Sequence, residues 1–454
     1  MDTGDTAWVL ASAALVLLMT PGLALFYGGM VRSKSVLNMM MMSFSSLALV
    51  TVLWVLYGYS MAFGDDVGLG LVGNPTDFAG LEGLMDPESL VFTVPSLAFV
   101  GFQAVFAIIT VALISGAIAD RAKFGPWLLF SGIWATIVYF PVAHWVFAFD
   151  GAAAETGGWI AMRLEAIDFA GGTAVHINAG AAGLALALVL GKRKGFGREA
   201  MRPHNLPLVM IGAGLLWFGW FGFNAGSALG ANGLAAVAWV NTLSATAAAA
   251  LGWLLVEKFR DGKPTSLGAA SGVVSGLVAI TPACAAVNPM GALAIGVLAG
   301  VFCALAVGLK YKFGYDDSLD VVGVHLVGGL WGTLAIGLFA TLNAPGSFEN
   351  EGLLFGGGVE LLGKQAAGAG AVLAYSFVAT LIIGFAISKT IGFRIDEEDE
   401  VEGIDFVEHG ESGYDFVSSG GGGSRSTGVL AGATAPVAST SGPTSPTSKE
   451  GAQA

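Results

Sequence analysis

Long apolar segments alternate with short polar loops along most of the chain. Runs of about 20 apolar residues recur, including TAWVLASAALVLLMTPGLALFYGGMV, SFSSLALVTVLWVLYGYSMAF and NPMGALAIGVLAGVFCALAVGL. A helix of that length covers the hydrocarbon core of a bilayer, which is about 30 Å thick. The pattern predicts eleven membrane-spanning helices, centred near residues 19, 50, 103, 136, 181, 216, 244, 276, 298, 332 and 378.

Composition supports a polytopic membrane protein. Of the 454 residues, 55% are hydrophobic and 12% are charged, whereas soluble domains carry about 25% charged residues. The 68 glycines allow helix backbones to approach closely where no hydrophobic effect separates helix from lipid. Cys284 and Cys303 lie in apolar segments without CxxC or CxxH spacing, so we predict no metal site and no cofactor.

The distribution of basic residues predicts the orientation of the chain. With the N-terminus outside, 16 of the 20 Lys and Arg residues fall in inner segments and two, Arg163 and Lys364, in outer loops; the other two follow residue 416. The positive-inside rule therefore predicts an outer N-terminus and an inner C-terminus. The net charge of −13 comes largely from the cluster DEEDEVEGIDFVEHGE, so it does not indicate nucleic-acid binding.

The C-terminal part of the chain changes character after the last apolar run. We predict a transmembrane domain over residues 1–392 and a cytoplasmic segment over 393–416, acidic but with Ile, Phe and Tyr that could dock. Residues 417–454 are rich in Gly, Ser, Thr, Ala and Pro, a composition that cannot bury a core and predicts disorder. The N-terminus carries Asp2 and Asp5 rather than the basic region of a signal peptide, so the first apolar run is predicted to be a retained helix.

Two of the five histidines, His176 and His325, lie inside apolar spans, where ionisable groups are costly and commonly functional. His176 follows Asp168 in span five, and His325 follows Asp320 in span ten. Five spans reverse the direction of the chain, which predicts an inverted 5+5 repeat with one extra helix, a common plan in transporters. The two histidines would then meet near the middle of the membrane, although each could instead bond a neighbouring helix.

The remaining intramembrane chemistry is sparse. No lysine lies in the middle of a predicted span, which argues against a retinal Schiff base. No chain of aspartate or glutamate residues lies at mid-depth either, which argues against a carboxylate proton pump or a sodium-coupled carrier. An apolar path with two imidazoles suits a small neutral molecule or a cation that loses its proton at the entrance. His144, His204 and His409 are predicted to be ordinary polar residues.

Several long motifs resemble the ammonium transporter (Amt/Mep/Rh) family, Amt branch. They are DFAGGTAVHINAG, GKRKGFGREAMRPHNLP, GWFGFNAGSA, TPAC and DVVGVH, in matching order over roughly residues 5–416, together with the tail GFRIDEEDEVEGIDFVEHGESGY. The resemblance implies a transporter rather than an enzyme.

The resemblance also implies roles for individual residues. His176 and His325 match the family's hydrogen-bonded twin histidines, and Phe106 and Phe223 match its stacked phenylalanine gate. Four further residues match family positions. Ser227 matches the serine that accepts a hydrogen bond from ammonium, Asp168 the aspartate near that site, Trp220 the pore tryptophan and Thr281 the threonine of the TPAC turn. The path would recruit ammonium, remove its proton near the gate and pass ammonia, while the proton follows the histidines.

One position departs from the family pattern. The family's outer site has a tryptophan in a motif of the HWVWG type, whereas this chain has Phe147 in HWVF. Phenylalanine attracts a cation more weakly than tryptophan. Trp145 is a candidate for compensation, although helical spacing turns it away from Phe147.

The resemblance implies further properties that composition does not indicate. We expect a homotrimer in the plasma membrane that carries ammonium, with methylammonium as an analogue, and a trimeric cytoplasmic regulator of the PII (GlnK-like) class. Two alternatives stay open, an ammonium sensor and a passive ammonia or carbon dioxide channel of the Rh type. Residues 417–454 are too short for the fused signalling domain common in family sensors.

Overall fold

The computed structural model describes residues 1–414, and within them ten helices are long and apolar enough to cross a membrane. With one shorter apolar helix, α8, these helices are α1 (Thr3–Met30), α2 (Val36–Phe63), α3 (Ser96–Ile118), α4 (Phe124–Phe147), α5 (Gly172–Leu190), α6 (Leu206–Gly226), α7 (Gly233–Arg260), α8 (Ser266–Ile280), α9 (Pro289–Phe313), α10 (Val322–Phe339) and α11 (Glu360–Thr390). The chain is therefore a helical, multi-pass membrane protein. Residues 415–454, with the predicted disordered tail, lie outside the described residues.

The eighth predicted span differs from the others. Helix α8 has 15 residues, fewer than the roughly 20 that cover a bilayer core. It ends at Ile280, before Pro282 of the TPAC segment, and the chain continues through turns to Asn288. Within residues 1–414, ten long apolar helices and one short one thus stand where eleven spans were predicted.

Small elements complete the described fold. Two antiparallel strands, β1 (Leu90–Val91) and β2 (Val94–Pro95), form a hairpin before α3, with Leu90 opposite Pro95. Short 3₁₀ and π turns lie in the loops that precede α3, α5 and α11, at Ala79–Leu81, Ile160–Leu164, Pro345–Ser347 and Leu353–Phe355. After α11 come two short helices, α12 (Glu397–Glu402) and α13 (Ile404–His409).

Helix packing in the first five spans recurs in the next five. Helix α1 packs on α2 and α3, and α6 packs on α7 and α8. Likewise α2 packs on α3 and α4, while α7 packs on α8 and α9. The two sets meet where α1 lies along α6 and where α5 crosses α10.

Small residues permit the close crossing of α5 and α10. A Cβ atom on Gly180 would lie 2.5 Å from the backbone nitrogen of Leu326, and one on Gly329 would lie 3.1 Å from the Cβ of His176. Larger side chains at Gly180 would force the helices apart. Both crossing helices begin with a π-helical turn, Gly172–Ile177 in α5 and Val322–Leu326 in α10.

A buried ionic network lies beside α10 at the end predicted to face the cytoplasm. Arg193 donates to both oxygens of Asp316, with nitrogen–oxygen distances of 2.8 and 2.9 Å, and to Asp120 at 3.2 Å. Arg121 is fully buried and lies 4.0 Å from Asp316. Burial raises the pKa of the Asp316 carboxyl, but the hydrogen bonds from Arg193 and the charges of Arg193 and Arg121 together outweigh burial and hold that pKa below its ordinary value.

The acidic segment after α11 docks on this face. The Asp405 carboxylate accepts the backbone N–H groups of Leu37 and Asn38 at the start of α2, at 3.0 and 2.8 Å. The ring nitrogen Nε2 of His409 lies 3.0 Å from Oδ1 of Asn38, and buried Glu400 accepts from Arg394 at 3.0 Å. Carboxylates thus dock the segment together with apolar side chains, since Phe393, Ile395 and Ile404 are buried.

We expect Arg193→Met to destabilise the protein by about 3–5 kcal/mol, because Asp316 would keep a buried charge without its bidentate partner. Thermal unfolding of the detergent-purified variant measures the effect. Arg198→Met is the matched control, since Arg198 is exposed in the same loop. Equal unfolding temperatures for the two variants would contradict the assignment.

Candidate functional site

Two aromatic side chains separate an outer cavity from an inner one. The rings of Phe106 on α3 and Phe223 on α6 stack with centroids 4.1 Å apart and planes 23° apart. Phe106 lines the outer cavity and Phe223 lines the inner cavity. Each ring is 1% exposed, so the stacked pair closes the direct route between the cavities.

The outer cavity encloses about 550 Å³, part of which is open to solvent. Its wall is mainly aromatic and includes Phe147, whose ring lies 6.4 Å from Phe106 at 80°. Ser227, at the end of α6, also lines the cavity; its hydroxyl donates to the carbonyl of Phe223 at 2.8 Å, which leaves its lone pairs available to accept. The cavity can therefore offer ring faces and an oxygen acceptor to a cation.

Trp145 does not replace the missing tryptophan of the outer site. Its indole N–H donates to the carbonyl of Leu71 at 2.6 Å, and its ring packs against Trp159 and Tyr375, with centroids 5.8 and 4.9 Å away. Trp145 does not line the outer cavity. Phe147 is therefore the aromatic residue of HWVF that reaches the cavity.

The inner cavity, of about 330 Å³, contains both intramembrane histidines. The Nδ1 atoms of His176 and His325 lie 3.2 Å apart, so one ring donates a hydrogen bond and the other accepts it. Nε2 of His176 has no hydrogen-bond partner within residues 1–414. The structure thus brings the two histidines together in one cavity, and the other lining side chains are apolar or aromatic.

Trp220 and Thr281 position His176. The Trp220 ring stacks on the His176 ring with centroids 5.4 Å apart and planes 15° apart. Its indole N–H donates to Oγ1 of Thr281 at 2.8 Å, and Thr281 donates to the carbonyl of Leu277. Trp220 lines the inner cavity, whereas Thr281 is buried behind it and acts through the tryptophan.

Asp168 lies at the start of α5 and does not line the outer cavity. Its carboxylate accepts the backbone N–H groups of Gly171, Gly172 and Thr173, each at 2.7 Å, and the Thr173 hydroxyl. Burial raises the pKa of the Asp168 carboxyl, and the hydrogen bonds from Thr173 oppose that rise. Asp168 thus caps the π-helical turn that carries His176.

Asp317, not Asp320, accepts the backbone N–H groups at the start of α10 in the way that Asp168 does at the start of α5, so the expected match of Asp320 with Asp168 was wrong. Asp317 accepts the N–H groups of Val321 and Val322 at 3.0 and 2.8 Å, at the start of the turn that carries His325. Asp320 instead bonds Lys310 at 2.7 Å. The spacing in the sequence could have identified Asp317, since each capping aspartate precedes its histidine by eight residues.

The other three histidines line neither cavity. His144 is buried, with Nδ1 3.1 Å from the carbonyl of Ala62 and Nε2 3.5 Å from Asp66. His204 lies between the carbonyl of Val31 and the hydroxyl of Tyr414, each 2.8 Å away. Together with the Asn38 contact of His409, these positions agree with the expected ordinary polar roles.

Sequence and structure comparisons both relate this chain to ammonium transporters. Residues 7–414 match the Ammonium Transporter Family. A Mycobacterium tuberculosis protein named ammonium transporter is 65% identical, over 91% of both chains. The crystal structure of Saccharomyces cerevisiae Mep2 is similar with a TM-score of 0.81 and 34% identity, over 88% of both chains. A solved structure of a sensor Amt protein has a TM-score of 0.80 and 29% identity, over 89% of this chain and 98% of that one.

Proposed function

Because the chain belongs to the ammonium transporter family, we propose that it recruits ammonium in the outer cavity, removes its proton and passes ammonia through the inner cavity. The observation that carries this mechanism is the pair of imidazoles, 3.2 Å apart, in an otherwise apolar cavity behind the phenylalanine pair. Potassium resembles ammonium in size but has no proton to lose. The chemistry of the path, rather than its width, then separates the two ions.

Recruitment relies on Phe147, Phe106 and Ser227. Cation–π contacts contribute about 0.5–2 kcal/mol, depending on how far the cation is desolvated. The hydroxyl of Ser227 accepts one N–H of ammonium. These contacts bind the cation weakly enough to release it. Asp168 does not touch the cation; it stabilises the start of α5 through the capped turn.

Beyond the phenylalanine pair, the cost of burying a charge favours ammonia over ammonium. An intact charge in an apolar membrane interior costs several kcal/mol or more, by order of magnitude. The proton enters at Nε2 of His176, while the proton on its Nδ1 passes to Nδ1 of His325 and leaves from the far side of that ring. Histidine suits this relay, because its unperturbed pKa is about 6.5 and each nitrogen can donate or accept.

The architecture we propose has eleven crossings, an outer N-terminus and an inner C-terminus, with helices α1–α5 and α6–α10 as inverted repeats. The short α8 crosses together with the turns that follow it. Support for the repeat comes from the recurring helix contacts and from the two capped π-helical turns that carry His176 and His325. Sixteen basic residues in inner segments support the orientation.

Assembly and regulation are proposed from the family resemblance. We propose a homotrimer in the plasma membrane, with one pore per subunit, that carries ammonium and accepts methylammonium. A trimeric regulator of the PII class would bind the cytoplasmic face, where the acidic segment 393–414 docks against the inner ends of the helices. Residues 417–454, for which we predict disorder, lie outside the described residues.

Two other functions would use the same site differently. The structural likeness to a sensor Amt protein, at a TM-score of 0.80, keeps the sensor alternative open, in which binding is read out without useful transport. Phe147, a weaker cation ligand than tryptophan, favours a passive channel for neutral ammonia or carbon dioxide.

Charge movement in proteoliposomes, after jumps of ammonium and then of potassium, distinguishes the three functions. We expect a saturable ammonium current without a potassium current. Rapid internal alkalinisation without current would instead indicate passage of neutral ammonia alone. Ammonium binding without either signal would indicate a sensor.

We expect Phe147→Trp to lower the ammonium concentration at half-maximal current by about two- to fivefold, because tryptophan provides the stronger cation–π face. The same proteoliposome currents give this constant. Trp145→Phe is the matched control and should leave the constant unchanged, since Trp145 lies outside the cavity. A larger effect from Trp145→Phe than from Phe147→Trp would contradict the assignment of the outer site.

A further inference from the structure

Gln103 is a polar residue of the outer cavity that the mechanism above does not use. Among the side chains that line this cavity, those of Gln103 and Ser227 can form hydrogen bonds, and the remainder are Phe, Ala and Leu. Gln103 is 8% exposed as a residue. Within residues 1–414 no hydrogen bond joins its carboxamide to another group, and its nitrogen and oxygen are not among the fully buried unpartnered atoms, so the carboxamide is open to the cavity. Ser227, in contrast, uses its hydroxyl proton on the Phe223 carbonyl.

Polar groups in the interior of folded proteins are nearly always bonded to protein or to water. Because no group within residues 1–414 bonds the Gln103 carboxamide, its partner is water or a solute that enters the cavity. Ammonium carries four N–H donors and no acceptor. Its chemistry therefore matches a carboxamide oxygen directed at a cation site.

The position of Gln103 agrees with this use. It lies three residues before Phe106 on α3, so the two side chains share one face of the helix. A cation against the Phe106 ring would thus have the carboxamide nearby, and the Ser227 hydroxyl in the same cavity. Two oxygen acceptors suit an ion that donates hydrogen bonds, whereas selective potassium sites surround the ion with rings of carbonyl oxygens.

We propose that the carboxamide oxygen of Gln103 accepts a hydrogen bond from ammonium in the outer cavity, as a second acceptor beside Ser227. The proposal rests on the ammonium-transport function proposed above and extends its outer site. Gln103 then increases affinity for the cation before deprotonation and does not take part in the proton relay. It also offsets the weaker aromatic face of Phe147.

The test compares ammonium currents of the wild-type protein, Gln103→Met and Gln103→Glu in proteoliposomes. Methionine has a similar length without an acceptor oxygen, and glutamate keeps the acceptor. We expect Gln103→Met to raise the ammonium concentration at half-maximal current roughly tenfold, the effect of one lost hydrogen bond to an ion, with little change in maximal current. Gln103→Glu should keep that constant at or below the wild-type value.

An unchanged constant in Gln103→Met would overturn the proposal, and so would an equal increase in both variants, because a lost structural donor would affect both alike. A fall in maximal current with an unchanged constant would also overturn it. If Gln103→Met does not fold, Gln103→Glu decides alone, since a raised constant contradicts an acceptor role. Failure of the wild-type protein to give a saturable ammonium current would instead refute the proposed function.

Discussion

The His176→Ala/His325→Ala double variant is expected to lose ammonium current by at least about 100-fold, the lower end of what positioned acid–base groups contribute. Both rings line the inner cavity and are joined through Nδ1 at 3.2 Å. Without them the proton has no carrier across the apolar segment. Ammonium jumps in proteoliposomes measure the loss.

Matched variants separate proton transfer from general damage. His204→Gln removes a histidine that lines neither cavity and should keep most of the current. The double variant should elute like the wild-type protein but unfold at a lower temperature, because two buried rings are replaced by methyl groups, so currents are compared at equal amounts of folded protein. A double variant that keeps wild-type current and selectivity would contradict the relay.

Asp168→Ala is expected to reduce stability by about 2–4 kcal/mol and to abolish most of the current. The carboxylate accepts three backbone N–H groups at 2.7 Å and the Thr173 hydroxyl, and losing a helix cap alone costs up to about 2 kcal/mol. The freed turn, Gly172–Ile177, also carries His176. Thermal unfolding and ammonium currents measure the two effects.

Asp317→Ala provides the comparison for this prediction. Asp317 caps two N–H groups at the start of α10, so its loss should destabilise the protein less than the loss of Asp168. Asp168→Asn keeps one acceptor oxygen and should give an intermediate result. Wild-type unfolding and current in Asp168→Ala would contradict a capping role.

The sequence was informative where polar residues are rare. Histidine in an apolar run is costly enough to stand out, so His176 and His325 could be identified and their meeting predicted. Phe106 and Phe223 could not be distinguished by spacing among 29 phenylalanines; the motifs around them identified the pair, which stacks at 4.1 Å.

Other features depended on three-dimensional contacts. The choice between Asp317 and Asp320 required knowing which carboxylate reaches the amides of α10, because both precede His325 on a polar loop. Gln103 gave no signal, since a single glutamine in an apolar helix commonly bonds a neighbouring backbone. The early end of α8 could not be recognised in the sequence, because the turns that follow Ile280 are also apolar.

The ratio of charge moved to nitrogen moved, compared between the wild-type protein and the His176→Ala/His325→Ala variant, tests the central claim most directly. Labelled ammonium uptake and current, recorded from the same proteoliposomes, give the ratio. Separate paths for ammonia and its proton predict about one charge per nitrogen in the wild-type protein and a ratio near zero in the variant, which still passes ammonia. An unchanged ratio in the variant would mean that ammonium crosses intact, and would contradict the account.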